Sequence, residues 1–203
     1  MVRPTRREEN KLYRQGYSLI AGVDEVGRGA WAGPLVAAAV ILPKNCRLKG
    51  INDSKKLTGQ QRERLYTQII KQALTYRVYI TRREVIDRIG ISQTNIRALE
   101  KCISRLSIKP EFILVDALSI KVQNVPSRSI IKGDTKVLSI AAASIVAKVT
   151  RDRLMVNYHK KYPNYNFHRH KGYGTVYHRR SLLKHGPCPL HRLSFKPIQS
   201  LVK

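Results

Sequence analysis

Leu19-Ile20-Ala21-Gly22-Val23-Asp24-Glu25-Val26-Gly27-Arg28-Gly29 is an aliphatic run that ends in two adjacent carboxylates and then turns through a glycine-rich loop. The apolar half predicts a strand over Ser18–Val26. The turn Gly27–Pro34 and the apolar run Leu35–Leu42 extend it into an antiparallel hairpin. Carboxylates are scarce in this chain, 13 against 39 Lys and Arg, so two at the end of a buried strand require a reason. Two such charges about 4 Å apart repel by roughly 4 kcal/mol at an effective dielectric near 20. A divalent cation relieves that repulsion. A salt bridge to Arg28 or a nearby Lys is the plainer alternative.

Working outward, Thr58 is placed to cap a helix that runs to about Ala73, and Tyr76–Thr81 alternates as a strand. Thr94–Leu106 carries Ile96, Leu99, Ile103 and Leu106 at helical spacing. Phe112–Val115 is a short, continuous apolar run of the kind that forms a buried central strand, and Arg128–Ile131 predicts another strand. A long helix is expected from Lys136 to about Tyr162, with Ala141-Ala142-Ala143 allowing close packing, and a short one over Tyr177–Lys184. Strands interleaved with helices predict an α/β domain, a mixed central sheet flanked by helices.

Asp24-Glu25, Asp116 and Asp134 each stand where an apolar strand gives way to a loop, which is where ligands collect in α/β sheets. Converging there, the four carboxylates form an oxygen cage suited to Mg²⁺ or Mn²⁺. Asp134 competes for a helix-capping role, and Asp116 for opening a turn before Ser119. Neighbouring strand residues face opposite ways. Asp24 and Glu25 therefore meet one ion only if the strand bends at its glycines, or if Glu25 uses its carbonyl or reaches round with its longer side chain.

The formal net charge of +26 calls for a polyanionic partner, nucleic acid first and an anionic membrane surface second. No apolar run approaches the ~20 residues that span a bilayer. Met1–Gly16 lacks the apolar segment of a secretory signal. Cys46, Cys102 and Cys188 are odd in number and far apart, as expected of free thiols in a reducing, cytoplasmic setting. His185-x-x-Cys188-x-x-His191 can be drawn as a zinc clip, but Pro187 and Pro189 interrupt it and no fourth ligand is evident. Residues 1–17 read as a basic arm, and 18–203 as one domain with a basic helical and loop extension from about 176. Beyond Asp152 there is no acidic residue against eleven Lys and Arg, so this tail is expected to track a nucleic-acid backbone.

The hairpin motif, Asn52-Asp53-Ser54-Lys55-Lys56-Leu57, Leu114-Val115-Asp116, Lys132-Gly133-Asp134, Ser139–Asp152 and His170-Lys171-Gly172-Tyr173-Gly174-Thr175 together resemble ribonuclease HII in order and spacing. The resemblance extends from about Ser18 to Pro197. It implies an RNase H-like fold and a metal-dependent endonuclease acting on the RNA strand of RNA–DNA hybrids and at single ribonucleotides in duplex DNA. It also implies Asp24, Glu25, Asp116 and Asp134 as metal-binding catalytic carboxylates for two ions, Mg²⁺ or Mn²⁺. Gly27-Arg28-Gly29 and Tyr173 would read the ribonucleotide and the junction. Lys55, Lys56, Ser144, Lys148 and Arg151 are expected phosphate contacts, the last three sharing a helix face by spacing. A monomer is expected, and Gln199–Val202 is too short a segment to argue for a sliding clamp. The rivals are another nuclease or integrase of the same fold, and a non-catalytic nucleic-acid-binding protein suggested by charge alone.

Overall fold

The computed structural model describes residues 3–118, 120, 122 and 124–201; Ser119, Val202 and Lys203 are among those outside this set. Strands β1 (Ile20–Val26), β2 (Leu35–Ile41), β3 (Thr75–Thr81), β4 (Phe112–Asp116) and β5 (Ser127–Ile130) form one sheet in the order β3-β2-β1-β4-β5. The short turn after β1 makes β1 and β2 an antiparallel hairpin, and β3 continues it antiparallel. β4 returns beside β1 in parallel, and β5 beside β4, so the sheet is mixed.

β2 is buried on all seven residues, and its alternation divides two cores. Val36, Ala38 and Val40 face α2 (Gly59–Gln72) and the long helix over Leu138–Lys161. Leu35, Ala37, Ala39 and Ile41 face the helices over Arg83–Ile89 and Ile91–Ser104. Small residues bring those layers close. At Gly22 a Cβ would overlap the carbonyl of Ser139, so the long helix crosses β1 where only glycine fits. As expected from Thr58, α2 begins with a capping box: the Thr58 Oγ1 accepts from Gln61 N at 3.2 Å, and Gln61 Oε1 accepts from Thr58 N at 2.8 Å.

Several elements escaped the sequence pattern. α1 (Arg7–Arg14) lies in the segment read as an arm. Its Leu12 is buried among Ile20, Phe112, Leu114, Val137 and Ile140, and its buried Glu9 accepts from Ser139 N at 2.8 Å. Glu9 thus serves an orphan amide at the start of the long helix, a cap supplied from a distant part of the chain. α3 (Arg83–Ile89) buries only Ile86 and stops at Gly90, too short to show a periodic face. It is followed by α4 (Ile91–Ser104), and α5 (Gly133–Lys136) precedes α6 (Leu138–Lys161). A 3₁₀ turn (Pro163–Tyr165), α7 (Phe167–His170), α8 (Val176–His185) and α9 (Lys196–Gln199) complete the chain.

The C-terminal extension is packed rather than trailing. Its segment Cys188–Arg192 pairs with the turn after β1 through an Ala32–His191 bridge and a 2.9 Å bond from Gly33 N to Leu190 O. Asp87 of α3 then accepts from the amides of Leu193 and Ser194 at 3.1 and 2.9 Å. Arg192, counted by sequence among the basic groups of a nucleic-acid-tracking tail, is wholly buried. No helix among the described residues is long and apolar enough to cross a membrane.

Candidate active site

Parallel pairing of β1 with β4 places Val23 beside Val115, so the next residues, Asp24 within β1 and Asp116 at the end of β4, stand on adjacent strands. Asp24 is buried, and its Oδ1 accepts from Glu25 N at 2.8 Å. Burial, then the charges of Glu25 and Asp116, push its carboxyl well above the usual range, against the pull of Ser144. Asp116 Oδ1 accepts from Gly133 N at 2.7 Å, which docks α5 and hence the buried Asp134 beside it. Burial raises Asp116 too, and Asp134 adds to the rise. Ala117 and Lys132, both non-glycine, take left-handed backbone at φ 49° and 55°. Such conformations cluster where a site over-determines its backbone.

Glu25 does not arrive by a bend. β1 stays in register with β2 through Val26–Val36, so Glu25 shares the α4 face with Val23 while Asp24 faces α6. Because β4 stops at Asp116, Glu25 overhangs its end and lines the same cleft from the opposite face. Its carboxyl is raised mainly by burial, against the pull of the Asn95 amide and Arg28; Arg28 Nη1 stands 3.8 Å from Oε1. Glu25 Oε2 is buried without a hydrogen-bond partner, and neither amide atom of buried Asn95 completes a bond. Among the described residues no three Asp, Glu, His or Cys side chains close tightly enough to enclose an ion by themselves.

The cleft holds about 440 Å³ and is lined by Asp24, Glu25, Gly27, Arg28, Gly29, Ser54, Lys55, Asp116, Ser144, Lys148 and Tyr173. Asp134 stands at its edge, where Lys55 Nζ lies 3.8 Å from Oδ2. Burial of Lys55 is outweighed by Asp134, Asp53, Asp24 and Asp116, which raise its pKa. Lys148 is paired with Asp152 at 2.7 Å, and its burial lowers its pKa. Ser144 is buried, with its Oγ 3.1 Å from that of Ser54. Lys56 is exposed and outside the cleft. A larger groove of about 900 Å³ runs between β3 and α4 and contains none of the four carboxylates.

Arg151 corrects the expectation drawn from helical spacing. It does share the face of α6 that carries Ser144 and Lys148, yet it is wholly buried and available to no phosphate. Its Nε donates to Pro34 O at 2.9 Å, Nη1 to Lys171 O at 2.8 Å and Nη2 to Ala32 O at 3.0 Å. Its guanidinium also stands 5.3 Å from the Tyr173 ring centre. The sketched zinc clip is likewise absent, because the ring nitrogens of His191 engage Cys188 and His178. Sequence reasoning missed Asn95 and His178, quoted Ser54 only within a motif, and gave His191 and Arg192 other roles. Asn95 had a faint signal, a polar residue on the buried stripe of a predicted helix.

Comparison with known proteins agrees with this geometry. A family model described as Ribonuclease HII matches residues 21–198. The chain is 50% identical over 194 residues to the ribonuclease HII of Enterococcus faecalis, covering 96% of this chain and 76% of that one. Among solved structures, ribonuclease H2 from Pyrococcus horikoshii superposes with a TM-score of 0.79 at 28% identity, covering 90% and 96% of the two chains. A chain of the PCNA:RNase HII complex from Archaeoglobus fulgidus gives 0.78 at 28% identity, covering 91% and 97%. With the mixed five-stranded sheet and strand-end carboxylates already in place, this chain belongs to the ribonuclease HII family and is an RNase H-fold endoribonuclease of RNA–DNA hybrids.

Proposed function

We propose that the chain cuts the RNA strand through two divalent ions, Mg²⁺ or Mn²⁺, held by Asp24, Glu25, Asp116 and Asp134. It also nicks on the 5′ side of single ribonucleotides in duplex DNA, leaving 5′-phosphate and 3′-hydroxyl ends. The observation that carries this reading is the buried, unpartnered Oε2 of Glu25 beside carboxyls raised by burial and by one another. Such a group of hard oxygen donors fits a divalent cation. When bound there, divalent ions would supply an activated water and would neutralise charge on the leaving oxygen of an in-line displacement.

The chain's own groups do the rest. Lys55, exposed at the rim and raised by the carboxylates around it, draws the scissile strand toward the site. Only the 2′-hydroxyl marks a ribonucleotide at the cut. Gly29 supports a role in reading it: a Cβ there would meet nothing within 4 Å, so the fold itself has no use for the missing side chain. The open space lets backbone come up to the sugar-phosphate. Tyr173, on the same cleft, offers a ring to the sugar and a hydroxyl near the 2′-position.

A nicking assay tests this, using duplex DNA with one embedded ribonucleotide, the all-DNA duplex and a continuous hybrid, each with and without Mg²⁺ or Mn²⁺. Asp24→Asn and Asp116→Asn should abolish cleavage while hybrid binding persists. Near-normal turnover of either variant at saturating Mg²⁺ rejects the ligand assignment. Failure to cut at the embedded ribonucleotide rejects the junction reading alone.

A further inference from the structure

Behind the cleft, residues that no nuclease chemistry uses form a continuous polar path through a buried aromatic cluster. His178 and His191 are wholly buried, among Phe167, Tyr165 and Trp31. Cys188 N donates to His191 Nδ1 at 2.8 Å, so that nitrogen presents its lone pair, although the Cys188 carbonyl lies 3.2 Å away. His191 then carries its proton on Nε2 and donates to His178 Nε2 at 3.0 Å. That leaves the His178 proton on Nδ1, which donates to Tyr173 O at 3.0 Å. Every step has one donor and one acceptor only if both rings are neutral. Burial lowers both, His178 to about 3 and His191 to about 4, so neutrality holds.

The next residue completes the path. Arg192 N donates to Trp31 O at 2.8 Å, and its buried guanidinium donates to Arg28 O at 3.0 Å and to Gly33 O at 2.9 and 3.1 Å. Gly172 O accepts from Trp31 N and Ala32 N at 2.8 and 3.2 Å, joining the two turns directly. Two adjacent residues of one segment thus reach two separate cleft elements, the carbonyl of Tyr173 and the carbonyl of Arg28. The hydrogen bonds of the Arg192 guanidinium go to backbone carbonyls.

We propose that His191 and Arg192, with His178 as the link, are positioning residues that hold the Gly27–Gly29 turn and Tyr173 as one rigid reader of the ribonucleotide junction. This rests on the reading of those two elements given above. The C-terminal segment then sets specificity from behind the cleft, without touching nucleic acid.

The test compares His191→Leu, which removes the donor to His178, with His191→Gln, whose amide N–H can stand in for Nε2–H. The readout is the ratio of kcat/KM on the single-ribonucleotide duplex to that on a continuous hybrid. Because small misplacements at a reader cost rate, the ratio should fall about tenfold in the Leu variant and recover in the Gln variant. Tyr173→Ala is measured alongside. A ratio lost in Tyr173→Ala but kept in His191→Leu overturns the positioning role alone; a ratio kept in both overturns the tyrosine as reader and the positioning role with it. Nitrogen-15 spectra of histidine in the unmodified protein add a measurement independent of variant folding. They should show His178 protonated on Nδ1 and His191 on Nε2, and the opposite tautomers overturn the relay.

Discussion

Gly27 and Gly29 sit two residues apart in one turn, and one methyl group added to each should do opposite things. At Gly27 the backbone has φ 102°, and a Cβ would stand 2.9 Å from Pro34 O and overlap the Arg151 guanidinium. Left-handed backbone costs a side-chain-bearing residue about 1–2 kcal/mol, and overpacking a filled site costs about 1–3 kcal/mol more. Gly27→Ala should therefore lose roughly 2–5 kcal/mol, which in a chain of this size lowers Tm by about 4–20 °C. At Gly29 φ is not positive and the Cβ meets nothing, so stability should stay within about 0.5 kcal/mol. Yet the methyl occupies the space offered to the substrate backbone, so kcat/KM should fall by at least about tenfold, 1.4 kcal/mol of transition-state binding. Thermal melts and cleavage of a continuous hybrid, run on both variants, decide it. A Gly29→Ala enzyme with full activity refutes close approach at this turn. An unchanged Tm for Gly27→Ala refutes the packing argument.

Three further outcomes follow from the same geometry. Mn²⁺ or Mg²⁺ should raise the Tm of the unmodified protein with ion concentration, because an ion that binds only the folded cage stabilises it by mass action; Asp116→Asn should abolish the rise, and an equal rise in both would move the ions elsewhere. Asp87 is lowered on balance, because the bonds from Ser194, Arg83 and Leu193 outweigh the opposing effect of its burial. Its contribution is therefore fully present above the unfolded carboxylate value near 4 and is lost as pH falls through the lower folded value. Asp87→Asn should accordingly lower Tm at pH 7, and the gap should narrow as pH falls into the acid range; a gap that does not change with pH refutes the charge argument. Affinity for any duplex should fall steeply with salt, log K declining by about 0.9 per neutralised phosphate on B-DNA, and a flat salt dependence would leave the +26 charge without a role in binding.

Much of this protein is legible in its residues because period and chemistry are local properties. The apolar run into Asp24-Glu25 declared a strand and a site together, and the strands at β2, β3, β4 and β5 fall within a residue or two of expectation. Thr58 announced its capping box, because the partners are three residues apart. Scarce carboxylates after three apolar runs pointed to one place, and the fold brings Asp24, Glu25 and Asp116 into one cleft. What stayed hidden depends on partners far along the chain. Residue spacing assigned Arg151 to an α6 face, but only packing decided that this face meets the turns at Ala32, Pro34 and Lys171 rather than phosphate. Charge counting placed Arg192 on a polyanion-tracking tail, whereas the fold surrounds it with carbonyls from Arg28 and Gly33. Whether Glu25 joins Asp24 was undecidable from alternation alone, and it turned on β4 stopping at Asp116 so that the longer side chain overhangs the strand end. A sequence states which groups a chain owns and which face of its element each takes; which neighbour meets that face is set by burial across the whole molecule.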